Sequence, residues 1–172
     1  SIKQNGMALK YVKEQTSEMC LEAVKSCGLA LVYVQDQTPE ICLEAVKQDG
    51  RALEYVREQT DELCQIAIQQ HAWNLGCVQD QTEALCLMAV TANGSAIQFV
   101  KHQTEAISLA AVKQDGFALK YINHQTHDIC LEAIKSESNM IYYVKEQTEA
   151  LCLEAVKRSG LALRHIKNQT ER

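Results

Sequence analysis

A Gln-Thr pair recurs at Gln15-Thr16, Gln37-Thr38, Gln59-Thr60, Gln81-Thr82, Gln103-Thr104, Gln125-Thr126, Gln147-Thr148 and Gln169-Thr170, and the step is 22 residues every time. A fixed period of this length, with no insertion or deletion, is the mark of a solenoid in which each unit buries its apolar face only against its neighbours. The unit is clearest from Thr38 to Thr60, T-P-E-I-C-L-E-A-V-K-Q-D-G-R-A-L-E-Y-V-R-E-Q-T. The expected fold is therefore all-α, an α/α solenoid of about seven and a half two-helix repeats, with residues 1–172 forming a single array. Ser1-Ile2-Lys3 aligns with Ala45-Val46-Lys47, and Thr170-Glu171-Arg172 opens another unit, so a piece of a longer array is expected.

Within a unit, Thr38 is placed to cap a helix, its hydroxyl accepting from a free N–H of the first turn. Pro39 suits the first helical position, and the acids Asp61, Glu83, Glu105 and Glu149 at that place suit the positive end of the helix dipole. Lys47 followed by Gly50 reads as a helix stop, which predicts a first helix of about ten residues. In Ala52-Leu53-Glu54-Tyr55-Val56-Arg57 the apolar residues fall at i, i+1, i+3 and i+4. That spacing favours a second helix of about seven residues over the alternative, a short strand as in leucine-rich repeats. Neither helix is long enough to be stable alone.

Projection of the first helix puts Ile41, Cys42, Ala45 and Val46 on one arc, with Leu43 on its flank and Glu40, Glu44 and Lys47 toward solvent. Alanine fills the Ala45 position in every complete repeat, which predicts close helix approach. The recurring glutamine projects inward. A buried amide needs partners, so a ladder of Gln side chains bonded to backbone between stacked units is expected. The tyrosines Tyr11, Tyr33, Tyr55, Tyr121 and Tyr143 form a column with Phe99, expected at the edge of the core.

The chain has eight cysteines, of which Cys20, Cys42, Cys64, Cys86, Cys130 and Cys152 share one place in the repeat, with Ser108 substituting once. Adjacent repeats separate them by about one helix-packing distance, roughly 8–10 Å, beyond the reach of a disulfide. They are expected as small buried hydrophobes, and free thiols in this number point to a reducing, cytoplasmic compartment. Net charge is −5, which argues against a nucleic-acid surface, and no apolar run approaches a membrane span.

The segment A-V-K-x-x-G-x-A-L-x-Y, present at Ala45 to Tyr55 and again at Ala111 to Tyr121, resembles a family of short repeats catalogued as a domain of unknown function in bacterial and viral proteins. The units that carry the resemblance recur along essentially the whole chain. It implies an all-helical repeat scaffold and transfers no catalytic residue.

If the template reports packing, function is expected where the chain departs from it. The Glu44 position, glutamate at Glu22, Glu132 and Glu154, becomes Ile66, Met88 and Ala110 in consecutive units. The Lys47 position becomes Gln69 and Thr91, and the Glu40 position becomes Ala84 and Ala106. Trp73, the only tryptophan, lies in the most divergent unit beside His71 and Asn74. The expected partner-binding residues are thus Ile66, Met88, Ala110, Trp73, Gln69 and Thr91, on an outer face that turns apolar. Repeat drift, or cover by a turn of the superhelix, is the plainer reading of the same substitutions.

Other chemistry is weaker. Glu44-Lys47, Glu132-Lys135 and Glu154-Lys157 read as i, i+3 pairs on a solvated face. His124, His127 and Cys130 have only loosely metal-like spacing, and no triad or phosphate loop can be assembled. The expected role is a non-enzymatic protein–protein interaction scaffold without cofactor or metal, its partner another protein. A self-assembling element stacking head to tail, and an accessory repeat domain of a larger enzyme or effector, are the alternatives.

Overall fold

Thr16, Thr38, Thr60, Thr104, Thr126 and Thr148 each end a stretch of extended backbone and start a ten-residue α-helix. A computed structural model describes residues 4–167. The start at Ser1-Ile2-Lys3 and the opening of another unit at Thr170 lie outside the described residues. The chain divides into two compact units, Ser1–Leu85 and Cys86–Arg172. All regular elements among the described residues are helical.

The first unit runs η1 (Gly6–Tyr11), α1 (Ser17–Ser26), η2 (Gly28–Tyr33), α2 (Pro39–Gln48), η3 (Gly50–Tyr55), α3 (Asp61–Gln70) and η4 (Ala72–Cys77), where η denotes a 3-10 helix. Helix α4 (Glu83–Ala92) leads into the second unit, which continues with η5 (Gly94–Phe99), α5 (Glu105–Gln114), η6 (Gly116–Tyr121), α6 (His127–Ser136), η7 (Ser138–Tyr143), α7 (Glu149–Arg158) and η8 (Gly160–His165). Inside each unit, like packs on like in sequence order. Helix α1 lies on α2 and α2 on α3 in the first; α5 lies on α6 and α6 on α7 in the second. The η elements stack in parallel fashion, η1 on η2 on η3 on η4 and η5 on η6 on η7 on η8. Both units are thus α-solenoids built from one repeated joint.

The caps follow the sequence. Thr16, Thr38, Thr60, Thr104, Thr126 and Thr148 each accept from the backbone N–H three residues on, at 3.3–3.4 Å. The second element is helical, as a six-residue 3-10 helix where a helix of about seven residues was expected. Its closing bond runs from the Val56 N–H to the Leu53 carbonyl at 3.1 Å, three residues back. Three residues per turn set Leu53 and Val56 one above the other, and both are buried with Ala52.

The glycines act differently from expectation. None among the described residues has a positive φ, so Gly50 is no left-handed helix stop. Helix α2 ends instead at extended Asp49, whose carboxylate accepts from the Arg51 N–H at 3.0 Å and starts η3. The glycine is required by the next repeat. A Cβ on Gly28 would run into the backbone carbonyl of Ala45, and one on Gly94 would sit 2.5 Å from that of Ala111. These are the same alanines that the period fixed, fully buried in each case. At Gly28 and Gly94 the seam is too tight for a larger residue, while Ala72 and Ser138 hold the same place in other repeats.

The glutamine ladder is present as expected. Gln37 donates to the Tyr55 carbonyl at 2.9 Å, and its Oε1 accepts from the Arg57 N–H at 3.1 Å. Gln59 does the same with Cys77 and Gln79, Gln125 with Tyr143 and Lys145, and Gln147 with His165 and Lys167. Each side chain thereby joins its own turn to the C-terminal end of the following η element, supplying groups that a short helix leaves unpaired. Among the described residues no buried side-chain nitrogen or oxygen lacks a partner.

Candidate functional site

The partner-binding residues expected from sequence divide between the two units, and in the first they fall in separate places. In the first, Ile66 and Gln69 lie on α3, Ile66 half-buried and Gln69 exposed, while Trp73 lies on η4. One repeat earlier, the equivalent places on α2 hold Glu44 and Lys47, paired at 3.7 Å. Going from α2 to α3 therefore removes an ion pair and leaves an isoleucine in its place. Trp73 faces other company. It lines a cavity with Asp49, Gly50, Arg51, Gln70, His71 and Asn74, a set that includes neither Ile66 nor Gln69. Its ring, 48% exposed as a residue, meets His71 edge to face at 5.5 Å. Asn74 stands where most other repeats have alanine, and its buried amide donates to the Ala67 carbonyl at 2.9 Å. Across this cavity Arg51 holds Asp49 at 2.7 Å, and that hydrogen-bonded guanidinium keeps the Asp49 carboxyl below its ordinary range.

In the second unit, Met88 and Thr91 lie on α4 and Ala110 on α5. Met88 and Ala110 are half-buried and Thr91 is exposed, its hydroxyl turned back to the Leu87 carbonyl at 2.7 Å. Charge returns on α6, where Glu132 pairs with Lys135 at 3.5 Å. On α7 the partner of Glu154 is Arg158, one residue beyond the expected Lys157, at 2.8 Å. Arg158 at i+4 donates to the carboxylate through Nε and to the Lys135 carbonyl through Nη1.

The cysteine column is an internal feature. All eight cysteines are free, and those of the column are buried or half-buried. Their thiols do more than fill space: Cys42, Cys64 and Cys130 donate to the Oε1 of the ladder glutamine five residues back at 3.8 Å. Burial raises the thiols of Cys20, Cys42, Cys64, Cys77 and Cys152, and pushes Cys130 up to about 11. Such groups are held as neutral thiols rather than nucleophiles. His124, His127 and Cys130 do line one groove, but Cys130 is engaged with Gln125 there. Among the described residues no group of three His, Cys, Asp or Glu is placed to hold a metal ion.

Sequence reading missed the grooves at the repeat joints. In the first unit a groove of about 550 Å³ opens where α2 and α3 begin, lined by Asp36, Pro39, Glu40 and Leu43 on one side and Arg57, Glu58, Glu62 and Leu63 on the other. The groove at the same joint four repeats on, in the second unit, is about 360 Å³ and lined by His124, His127, Lys145 and Glu146 among others. The available signal was the crowding of acids around two successive Gln-Thr pairs, Asp36 to Glu40 and Glu58 to Glu62.

Residues 16–60 match the model of the family described as Domain of unknown function (DUF4116). The match starts on one capping threonine and ends on another, spanning two repeats, which agrees with the resemblance seen in the A-V-K-x-x-G segments. No curated protein and no solved structure matches the chain.

Proposed function

We propose that the chain is a non-enzymatic scaffold for protein–protein interaction. Partners dock on outer helix faces where the repeat's glutamate has become Ile66 in the first unit and Met88 and Ala110 in the second. The observation that carries this reading is the change from α2 to α3: the Glu44–Lys47 pair gives way to Ile66 and Gln69 while the interior residues stay in place. The fold supports it by consuming its polar groups internally, so the outer faces remain as the variable part. Free thiols throughout favour a reducing compartment. Among the described residues no helix is long and apolar enough to cross a membrane.

The test is a pair of charge restorations, Ile66→Glu and Met88→Glu, each followed by thermal unfolding and by cross-linking to bound protein. Melting is expected to stay within about 1 kcal/mol of the parent, since these places tolerate glutamate elsewhere, while association is lost. Unfolding by Met88→Glu would assign the residue to the interior and end the docking reading. Head-to-tail self-association is the second reading, since each described repeat packs on the one beside it within its unit. Light scattering that shows a monomer at every concentration would sink it.

A further inference from the structure

We infer that the groove at the start of α2 and α3 in the first unit binds an extended peptide in which lysine or arginine alternates with apolar residues. This is a different surface from Ile66 and Met88, so either reading can fail alone. The groove is mostly apolar at depth: Cys42 and Leu63 are buried and Leu43 half-buried, while Asp36, Glu40, Glu58 and Glu62 stand exposed along its edges. Its volume of about 550 Å³ is that of a site for a few residues of chain.

Charge selects the occupant. None of the four edge carboxylates takes part in an ion pair or hydrogen bond among the described residues. The one cation in the lining, Arg57, is turned away to the backbone, donating to the Gln35 carbonyl at 3.0 Å and the Val34 carbonyl at 3.3 Å. Four carboxylates against one guanidinium leave the lining net negative. Because no three carboxylates converge enough to hold a metal ion, the charge is spread along the groove, which suits several cations in a row. An extended chain turns successive side chains to opposite sides, so it can send apolar residues to the floor and basic ones to the edges. The groove at the same joint in the second unit has the same glutamine and cysteine at depth and holds Lys145 on backbone carbonyls as the first holds Arg57, but its lining carries His124, His127 and a single carboxylate, Glu146, and does not share this preference.

The experiment is fluorescence anisotropy with a labelled hexapeptide of alternating arginine and leucine, compared with one of alternating glutamate and leucine. Binding of the arginine peptide alone is expected. It should weaken about five- to ten-fold in Glu40→Gln/Glu62→Gln, as removal of two exposed charge pairs implies, and should fall with added salt. Glu146→Gln, in the groove of the second unit, should leave it unchanged. Circular dichroism of each variant confirms that the helices are retained. No binding of the arginine peptide, equal binding of the glutamate peptide, or equal weakening by Glu146→Gln would each overturn the assignment.

Discussion

The groove of the first unit and its counterpart in the second are the same object at depth and different objects at the surface. Gln37, Cys42, Thr60 and Leu63 in one correspond to Gln125, Cys130, Thr148 and Leu151 in the other, four repeats along. Both glutamines bridge to the next η element through matching bonds, from Nε2 to Tyr55 or Tyr143 and to Oε1 from Arg57 or Lys145. The edges differ in part: Asp36 stands against His124, Pro39 against His127 and Glu62 against Ala150, while Glu58 and Glu146 agree. The comparison separates two kinds of constraint. The ladder glutamines, which must both donate to and accept from the backbone of the next repeat, are held fixed, and residues that meet only water are free to diversify.

Breaking the shared part should have the largest effect and the same one in both places. Gln37→Leu and Gln125→Leu each leave a carbonyl and an N–H without partners, and each should cost about 3 kcal/mol by denaturant unfolding. A clear inequality would mean that the two joints are not built alike. Next in size, the Gly–Ala seam should distinguish Gly28 from Gly116. At Gly28 a Cβ meets the backbone carbonyl of Ala45, which cannot move aside, whereas at Gly116 it meets the Met140 and Ser136 side chains at 3.2 Å. Gly28→Ala is expected to lower stability by about 2 kcal/mol and Gly116→Ala by under about 1 kcal/mol. Equal losses would remove rigid backbone as the cause.

The thiols give a smaller, pH-dependent effect. Burial raises the folded thiols, so the folded state favours the protonated form. Their contribution is complete below the unfolded value, about 8.5, and is lost as pH rises through the folded values, toward about 11 at Cys130. Melting temperature should therefore fall between about pH 9 and pH 11. Cys130→Ser should change stability at neutral pH by under about 1 kcal/mol and flatten that slope, since Ser108 already sits buried in this column. An unchanged slope would mean that other groups titrate there. Smallest of all, exchanging edge residues, such as Glu62→Ala, should leave melting within about 0.5 kcal/mol while weakening the arginine peptide.

Much of this architecture was legible in the chain. Threonine caps, helix lengths, the buried alanine column and the glutamine ladder each follow from one residue type returning at one place. Other features were hidden for identifiable reasons. The side chains of Gln35, Arg57, Gln79 and Lys145 reach back to carbonyls of the preceding repeat, forming another ladder. Its members differ in type, and only the reach to a carbonyl unites them, so no column stands out. Asp49, Asn93 and Asp115 cap the η elements, a role that became visible only once those elements proved to be 3-10 helices. The grooves escaped because they belong to no repeat; each exists only between two.

By itself, the sequence determined the repeated joint: which residues turn inward, where each helix begins, and that neighbouring copies complete one another. Those choices are local or nearest-neighbour, and a strict period states them again in every unit. Tertiary structure decided the pitch of the second element, the reason for glycine, and which carboxylates border a common groove. These depend on how closely one repeat's backbone approaches the next, a distance set by packing and written in no single stretch of chain.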